Sequence, residues 1–214
     1  MTKYITIVDY GVGNLLSVSR AFEACGAKTQ LTDSHEDILS ADYLVLPGVG
    51  AFADGMHELQ SRNLVDSIQL ACASGKPVLG ICLGMQLLFT ESDEHLLTAG
   101  LGIISGRVEA IPNHTDGGGW RKTPHIGWNE LLPRKNEEVW QGGLFDQLGD
   151  HPAGYFVHSY SCVPSNYGAI LAECDYEGMR LCAAVRQDNV YGCQFHPEKS
   201  GALGLHILSN FMAL

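Results

Sequence analysis

Apolar positions recur along the first half of the chain in two rhythms that alternate. Short runs rich in apolar and β-branched residues predict strands at Tyr4 to Val8, Lys28 to Leu31, Tyr43 to Leu46 and Val78 to Ile81. Between them the apolar residues fall three and four apart. Leu15, Val18, Ala21 and Phe22 predict a helix capped by Asn14 and ending near Gly26. Two further helical stretches are expected at about Phe52 to Gln60 and Leu64 to Ser74. Strand and helix in alternation argue for an α/β fold: an open, mostly parallel sheet with helices on both faces. In such sheets, sites form at the carboxyl ends of strands. The loops after Asp9, Leu46 and Ile81 are therefore expected to share one edge.

The second half changes rhythm. Asn113 to Thr123 is Gly-rich and polar, as an exposed loop would be, and a polar segment runs from Asn129 to Asp150. Short β-like runs at Tyr155 to Val157, Ala169 to Ala172, Leu181 to Val185 and Val190 to Gln194 predict antiparallel strands or sheet extensions. Ala202 to Met212 returns to helical spacing and should pack on the sheet. No repeat, low-complexity tract or linker divides the chain, so one domain over residues 1–214 is expected.

Charge and cysteine usage narrow the function classes. A formal charge of −11 speaks against nucleic acid and anionic membrane as partners. No apolar stretch approaches the roughly 20 residues that span a bilayer. The N-terminus is too short and too soon charged for a signal peptide. Seven cysteines without paired spacing predict reduced thiols in a cytoplasmic protein. With no Cys-x-x-Cys and no His-x-x-x-His, no metal and no cofactor is expected.

The candidate chemistry centres on Gly80-Ile81-Cys82-Leu83-Gly84. The strand ending at Ile81 turns directly into a helix carrying Leu83, Leu87 and Leu88, which puts Cys82 on a sharp corner flanked by two glycines. That is the arrangement of a nucleophile elbow, which lifts a reactive atom above a sheet and points the next backbone N–H at the reacting carbonyl. Most free cysteines are small core hydrophobes; the Gly-x-Cys-x-Gly frame at a strand-to-helix junction sets this one apart. A cysteine nucleophile needs a base, and the base needs an orienting group. His196 is the candidate base. Pro197 holds it extended, and residues two apart in extended backbone project to one side, so Glu198 can approach it. Leu83 N–H supplies one oxyanion donor, and the Pro47-Gly48-Val49-Gly50 loop can bring a second, from Val49 or Gly50.

Three segments in this order resemble the class I (triad) glutamine amidotransferases: Pro47-Gly48-Val49-Gly50, Gly80-Ile81-Cys82-Leu83-Gly84-Met85-Gln86 and His196-Pro197-Glu198. The resemblance spans essentially the whole chain. It implies a flavodoxin-like sheet and hydrolysis of L-glutamine to glutamate and ammonia through a thioester. Cys82 would be the nucleophile, His196 the acid and base, and Glu198 its orienter. Gln86 and the Val49-Gly50 backbone would lie beside the glutamine, and His158-Ser159-Tyr160 would hold its amino-acid end. Asp9 to Asn14, Pro124 to Asn129, Tyr155 to Tyr160 and His196 to Ser200 are most similar to the branch serving histidine biosynthesis. Its partner is a (β/α)8-barrel cyclase that receives the ammonia in a heterodimer. Residues matching Asn14, Trp128 and Lys199 would face that partner. The Gly117-Gly118-Gly119-Trp120 loop departs from the pattern and receives no role. The flexible Gly48-Val49-Gly50 frame is expected to leave the Val49 N–H turned away in the free subunit.

Other readings have less support. Anthranilate, aminodeoxychorismate or pyridoxal phosphate synthesis as acceptor fits the Gly127-Trp128-Asn129 and Glu198-Lys199-Ser200 segments less well. A cysteine hydrolase or deglycase on a related sheet lacks His-Pro-Glu at this position. A catalytically dead regulatory module would not need Cys82, His196 and Glu198 together. A dinucleotide or phosphate-loop module is missing its glycine fingerprint.

Overall fold

The computed structural model describes residues 2–115, 117–134, 140 and 142–214. Parts of the expected polar segment up to Asp150, and residue 116 of the expected loop, lie outside the described residues.

In the first half the elements run β1 (Tyr4–Val8), α1 (Leu15–Ala24), β2 (Lys28–Thr32), α2 (His35–Ser40), β3 (Tyr43–Gly48), α3 (Phe52–Ser61), α4 (Val65–Ala73), β4 (Val78–Cys82) and α5 (Leu83–Leu87). The middle supplies β5 (Phe89–Ser92), β6 (Thr98–Ala99), β7 (Ile104–Ala110), β8 (His125–Glu130), β9 (Leu132–Pro133), β10 (Ala153–His158) and β11 (Tyr160–Pro164). The chain closes with β12 (Ile170–Tyr176), β13 (Met179–Gln187), β14 (Val190–Cys193) and α6 (Gly201–Phe211).

Eight strands form the main sheet in the order β2-β1-β3-β4-β14-β13-β12-β9. Pairing is parallel from β2 through β14 and antiparallel from β14 to β9. This is the expected mostly parallel sheet with an antiparallel extension. The central strands β3 and β4 are buried along their whole length and read as apolar runs, whereas β2 at the edge, Lys28–Thr32, is polar and mostly exposed. Successive side chains of β3 serve different cores: Tyr43 and Val45 pack on the side of α1 and α6, while Leu44 and Leu46 pack on the side of α3 and α4.

Two smaller sheets were not anticipated as units. β8 and β10 form an antiparallel hairpin-like pair, and β11-β7-β5-β6 form a second sheet. β5 and β7 bury only two residues each and β6 none, so their apolar signal is thin. α2 buries only Ile38, although Ser34 caps it by accepting from Asp37 N–H. The helix after Cys82 is a single turn and a half. Leu101 N–H takes the Leu87 carbonyl at 2.8 Å, and Ile103 and Ile104 N–H both take that of Leu88 at 2.9 Å, so the chain leaves as strand.

Among the described residues, no helix is long and apolar enough to cross a membrane. All seven cysteines are unpaired.

Candidate active site

Cys82 ends β4 with φ 53° and ψ −109°, a conformation costing a non-glycine residue roughly 1–3 kcal/mol. The corner closes only because its neighbours lack side chains. A Cβ on Gly80 would lie 2.7 Å from the Gly84 carbonyl oxygen, and one on Gly84 would run into the Leu46 carbonyl of β3. The short α5 keeps Leu83 N–H at its start, but a helix of this length contributes little macrodipole to the thiol.

The sheet then brings two more segments to the same edge. Gly48 pairs with Cys82, so Val49 and Gly50 leave β3 beside the elbow. Tyr10, on the loop after β1, donates its Oη hydrogen to the Pro47 carbonyl at 2.7 Å, and burial raises its phenol pKa. Cys193 of β14 pairs with Ile81, which sends Gln194, Phe195 and His196 past the elbow on the other side.

His196 is extended, at φ −99° and ψ 97°. Glu198 reaches it by a different route from the one expected. Pro197–Lys199 is a 3-10 turn, and the turn folds the carboxylate back onto the ring. His196 Nδ1 and Glu198 Oε1 stand 2.7 Å apart, with side chains only 3% and 2% exposed. Ser200 Oγ donates to the His196 carbonyl at 2.7 Å and accepts from Tyr155 N–H at 3.0 Å, tying the turn to β10. Burial pushes the His196 pKa down, but the Cys82 thiol and the Glu198 carboxylate push it up and prevail, to about 9. Its Nε2 is buried and makes no well-formed hydrogen bond within the described chain; that atom is the one free to exchange a proton.

A cavity of about 410 Å³ opens over these groups. Val49, Gly50, Cys82, Leu83, Gln86, His158, Ser159, Tyr160, His196 and Lys199 are among the residues that line it. Glu198 lies behind His196. The three residues expected on the partner side sit on the surface. Asn14 is exposed and caps α1 by accepting from Ser17 N–H at 3.3 Å. Trp128 is 59% exposed, with its ring against Tyr155. Lys199 is exposed at the cavity rim.

The sequence model of the family "Glutamine amidotransferase class-I" matches residues 6–214. The chain belongs to the class-I glutamine amidotransferases. Among its relatives are proteins named imidazole glycerol phosphate synthase subunit HisH. One from Legionella pneumophila (strain Lens) is 47% identical over 210 residues, covering 98% of this chain and 99% of the relative. Those of Syntrophotalea carbinolica and Geobacillus thermodenitrificans are 47% and 44% identical, covering 97% and 98% of this chain and 98% and 95% of theirs. Solved structures share the fold at low identity. A glutamine amidotransferase aligns at TM-score 0.70 and 18% identity over 98% of this chain and 99% of its own. PurLQS from Thermotoga maritima aligns at 0.71 and 19% over 100% and 99%.

Three residues beside the candidate nucleophile or its cavity escaped the sequence reading. Gln194 Nε2 points at Cys82 Sγ at 3.8 Å, and its Oε1 accepts from Gln86 Nε2 at 3.0 Å. It stands two residues before His196 in sequence, yet a polar residue at a strand end does not announce what it faces. Glu94 lines the cavity and accepts from Phe52 N–H at 2.7 Å, serving the start of α3, where Ala51 has no capping side chain. Tyr10 is the third. The unassigned loop is pinned by Arg121, which is buried and donates to the Pro112 and His114 carbonyls at 2.8 and 3.1 Å.

Proposed function

We propose that this chain is the glutaminase subunit of an imidazole glycerol phosphate synthase, a single cytoplasmic amidotransferase domain over residues 1–214. It hydrolyses L-glutamine and passes the ammonia to a cyclase subunit in histidine biosynthesis. The observation that carries the chemistry is Cys82, held at a strained corner beside the buried His196–Glu198 pair. Identity of 44–47% to HisH subunits along nearly the whole chain supports the acceptor.

His196 Nε2 holds the proton drawn from the Cys82 thiol while Sγ attacks the carboxamide carbon. Leu83 N–H and a donor from the Val49-Gly50 segment stabilise the oxyanion. His196 returns the proton to the departing amine, the C–N bond breaks, and ammonia leaves a thioester. Water, deprotonated by His196, then attacks that carbon; the C–S bond breaks and glutamate departs. Glu198 orients the imidazole and stabilises its cation. Gln86 and the His158-Ser159-Tyr160 segment hold the substrate, and no cofactor takes part. Asn14, Trp128 and Lys199 meet the cyclase, a (β/α)8 barrel, in a heterodimer. Val49 is 40% exposed and Gly50 has φ 109° with open space around it, which supports a peptide free to turn its N–H toward the site when the partner docks.

The test is ammonia release from L-glutamine by this chain alone, and with the cyclase and its nucleotide ligand. Negligible release alone and strong release with both are expected. Equal release in both settings removes the gating and reopens the acceptor.

A further inference from the structure

A file of polar side chains leads up to the cavity, and the two at its far end, Asn129 and His125, have no part in the mechanism above. It begins at Asn129 on β8. Asn129 Nδ2 donates one hydrogen to the Asp175 carbonyl at 2.7 Å, which fixes the orientation of the amide. Its second hydrogen points to His125 Nε2 at 3.3 Å. His125 Nδ1 lies 3.0 Å from His158 Nε2, and His158 Nδ1 lies 2.8 Å from the Tyr160 carbonyl. That carbonyl also accepts from Gln86 Nε2 at 3.2 Å. Gln86 spends its other amide hydrogen on Gln194 Oε1, and Gln194 Nε2 reaches Cys82 Sγ.

The protons in this file can be assigned one after another. An amide N–H aimed at His125 Nε2 makes that atom the acceptor, so Nδ1 carries the ring hydrogen. Nδ1–H then donates to His158 Nε2, which places the second ring hydrogen on Nδ1, facing the Tyr160 carbonyl. From Asn129 to the Tyr160 carbonyl every bond runs in one direction, and there the file turns: the carbonyl accepts from His158 on one side and from Gln86 on the other. Burial supports this arrangement, holding the His125 pKa down to about 4 and that of His158 to about 3, so both rings stay neutral. His125 is also clamped between Phe156 and Tyr176, with ring centroids 4.8 and 4.1 Å away.

We infer that Asn129 and His125 are positioning residues: through His158 they form a hydrogen-bond relay that fixes the Tyr160 carbonyl and, through Gln86 and Gln194, aims an amide N–H at Cys82 Sγ. The inference rests on the reading of Cys82 as nucleophile. A buried amide pair without the Tyr160 anchor could rotate, because terminal amide torsions are broad. The Cys82 thiol would then lose its donor.

Two substitutions at His125 separate the relay from mere packing. His125→Phe keeps the aromatic clamp and removes both hydrogen bonds. His125→Gln carries one acceptor and one donor and can rebuild the file. Each variant is assembled with the cyclase and its nucleotide ligand, kcat and KM for L-glutamine are measured, and the rate of Cys82 alkylation by iodoacetamide is followed by peptide mass spectrometry. Loss of one buried orienting hydrogen bond predicts a fall of about tenfold in kcat and in alkylation for His125→Phe, with KM changed by less than about threefold. His125→Gln is expected within about threefold of the native chain. His125→Phe at native rates overturns the relay, and so does a His125→Gln variant as slow as His125→Phe. If His125→Phe does not fold, Asn129→Ala decides, since it removes the first donor from a half-exposed site; it too is expected to lose about tenfold, and native rates overturn the relay. Cys82→Ala, run alongside, tests the nucleophile separately: substantial ammonia release surviving in that variant means that the nucleophile is elsewhere, and the hydrogen-bond file is then judged on Cys82 alkylation in the His125 variants.

Discussion

Of the seven cysteines, Cys82 alone has a positive φ, and Gln194 gives its sulfur an amide donor. Burial pushes the thiols of Cys72 and Cys174 up to about 12 and raises those of Cys162, Cys182 and Cys193 too. A glutamine-like electrophile should therefore label Cys82 well ahead of these five, as peptide mapping would show; even labelling would contradict the site. Cys82→Ala should lower ammonia release by about 10³-fold or more while glutamine binding and partner assembly persist, as calorimetry and gel filtration would report. Glu198→Gln removes a group that raises the His196 pKa, so the His196 titration followed by NMR should shift down from about 9. Cys82, His196 and Glu198 were legible because their spacing brackets a glycine corner and a stiff proline turn. Gln194 and the way Glu198 folds back were not, since a 3-10 turn and a cross-sheet contact leave no periodic trace in the chain.

At the level of elements, the elbow is a packing problem before it is a chemical one. α5 presses so closely on β3 that residue 84 has no room for a methyl group. Gly84→Ala must push β3 and α5 apart. Overpacking of this kind costs about 1–3 kcal/mol, occasionally more, so a drop in Tm and loss of glutaminase activity are expected together. A variant with native Tm and native turnover would show that the corner has slack. The elements around the elbow were readable because each couples a buried apolar run to a glycine turn. α2 and β5 to β7 were not, because one buried residue in six, or one face of a short strand, is too weak a pattern to stand out. α5 stops after Leu87 for a tertiary reason: carbonyls that would continue the helix are claimed by the segment from Leu101 to Ile104.

For the whole molecule, the titrating histidines set opposite limits on stability. His125 and His158 are held neutral by burial, with pKa values of about 4 and 3, so an unfolded chain binds more protons than the folded one as pH falls below about 6.5. Stability should fall from there toward pH 4. His196 is raised to about 9; its contribution is complete below about 6.5 and fades as pH rises through 9. Thermal melts from pH 4 to 10 should therefore show a maximum near neutrality, and a flat acid limb would contradict the buried neutral pair. The parallel half of the architecture was legible from alternation alone. The pairing of β8 with β10, and of β11 with β7, was not, because partners so far apart in sequence are chosen by packing rather than by local pattern.

The strand β8 has one further consequence. Ile126 and Trp128 point to solvent, while His125, Gly127 and Asn129 face inward or are partly covered. Two vocabularies are thus interleaved on six residues, one spoken outward and one inward. The outward letters can be rewritten, by evolution or by an engineer fitting the enzyme to a different docking surface, while the inward message stays intact.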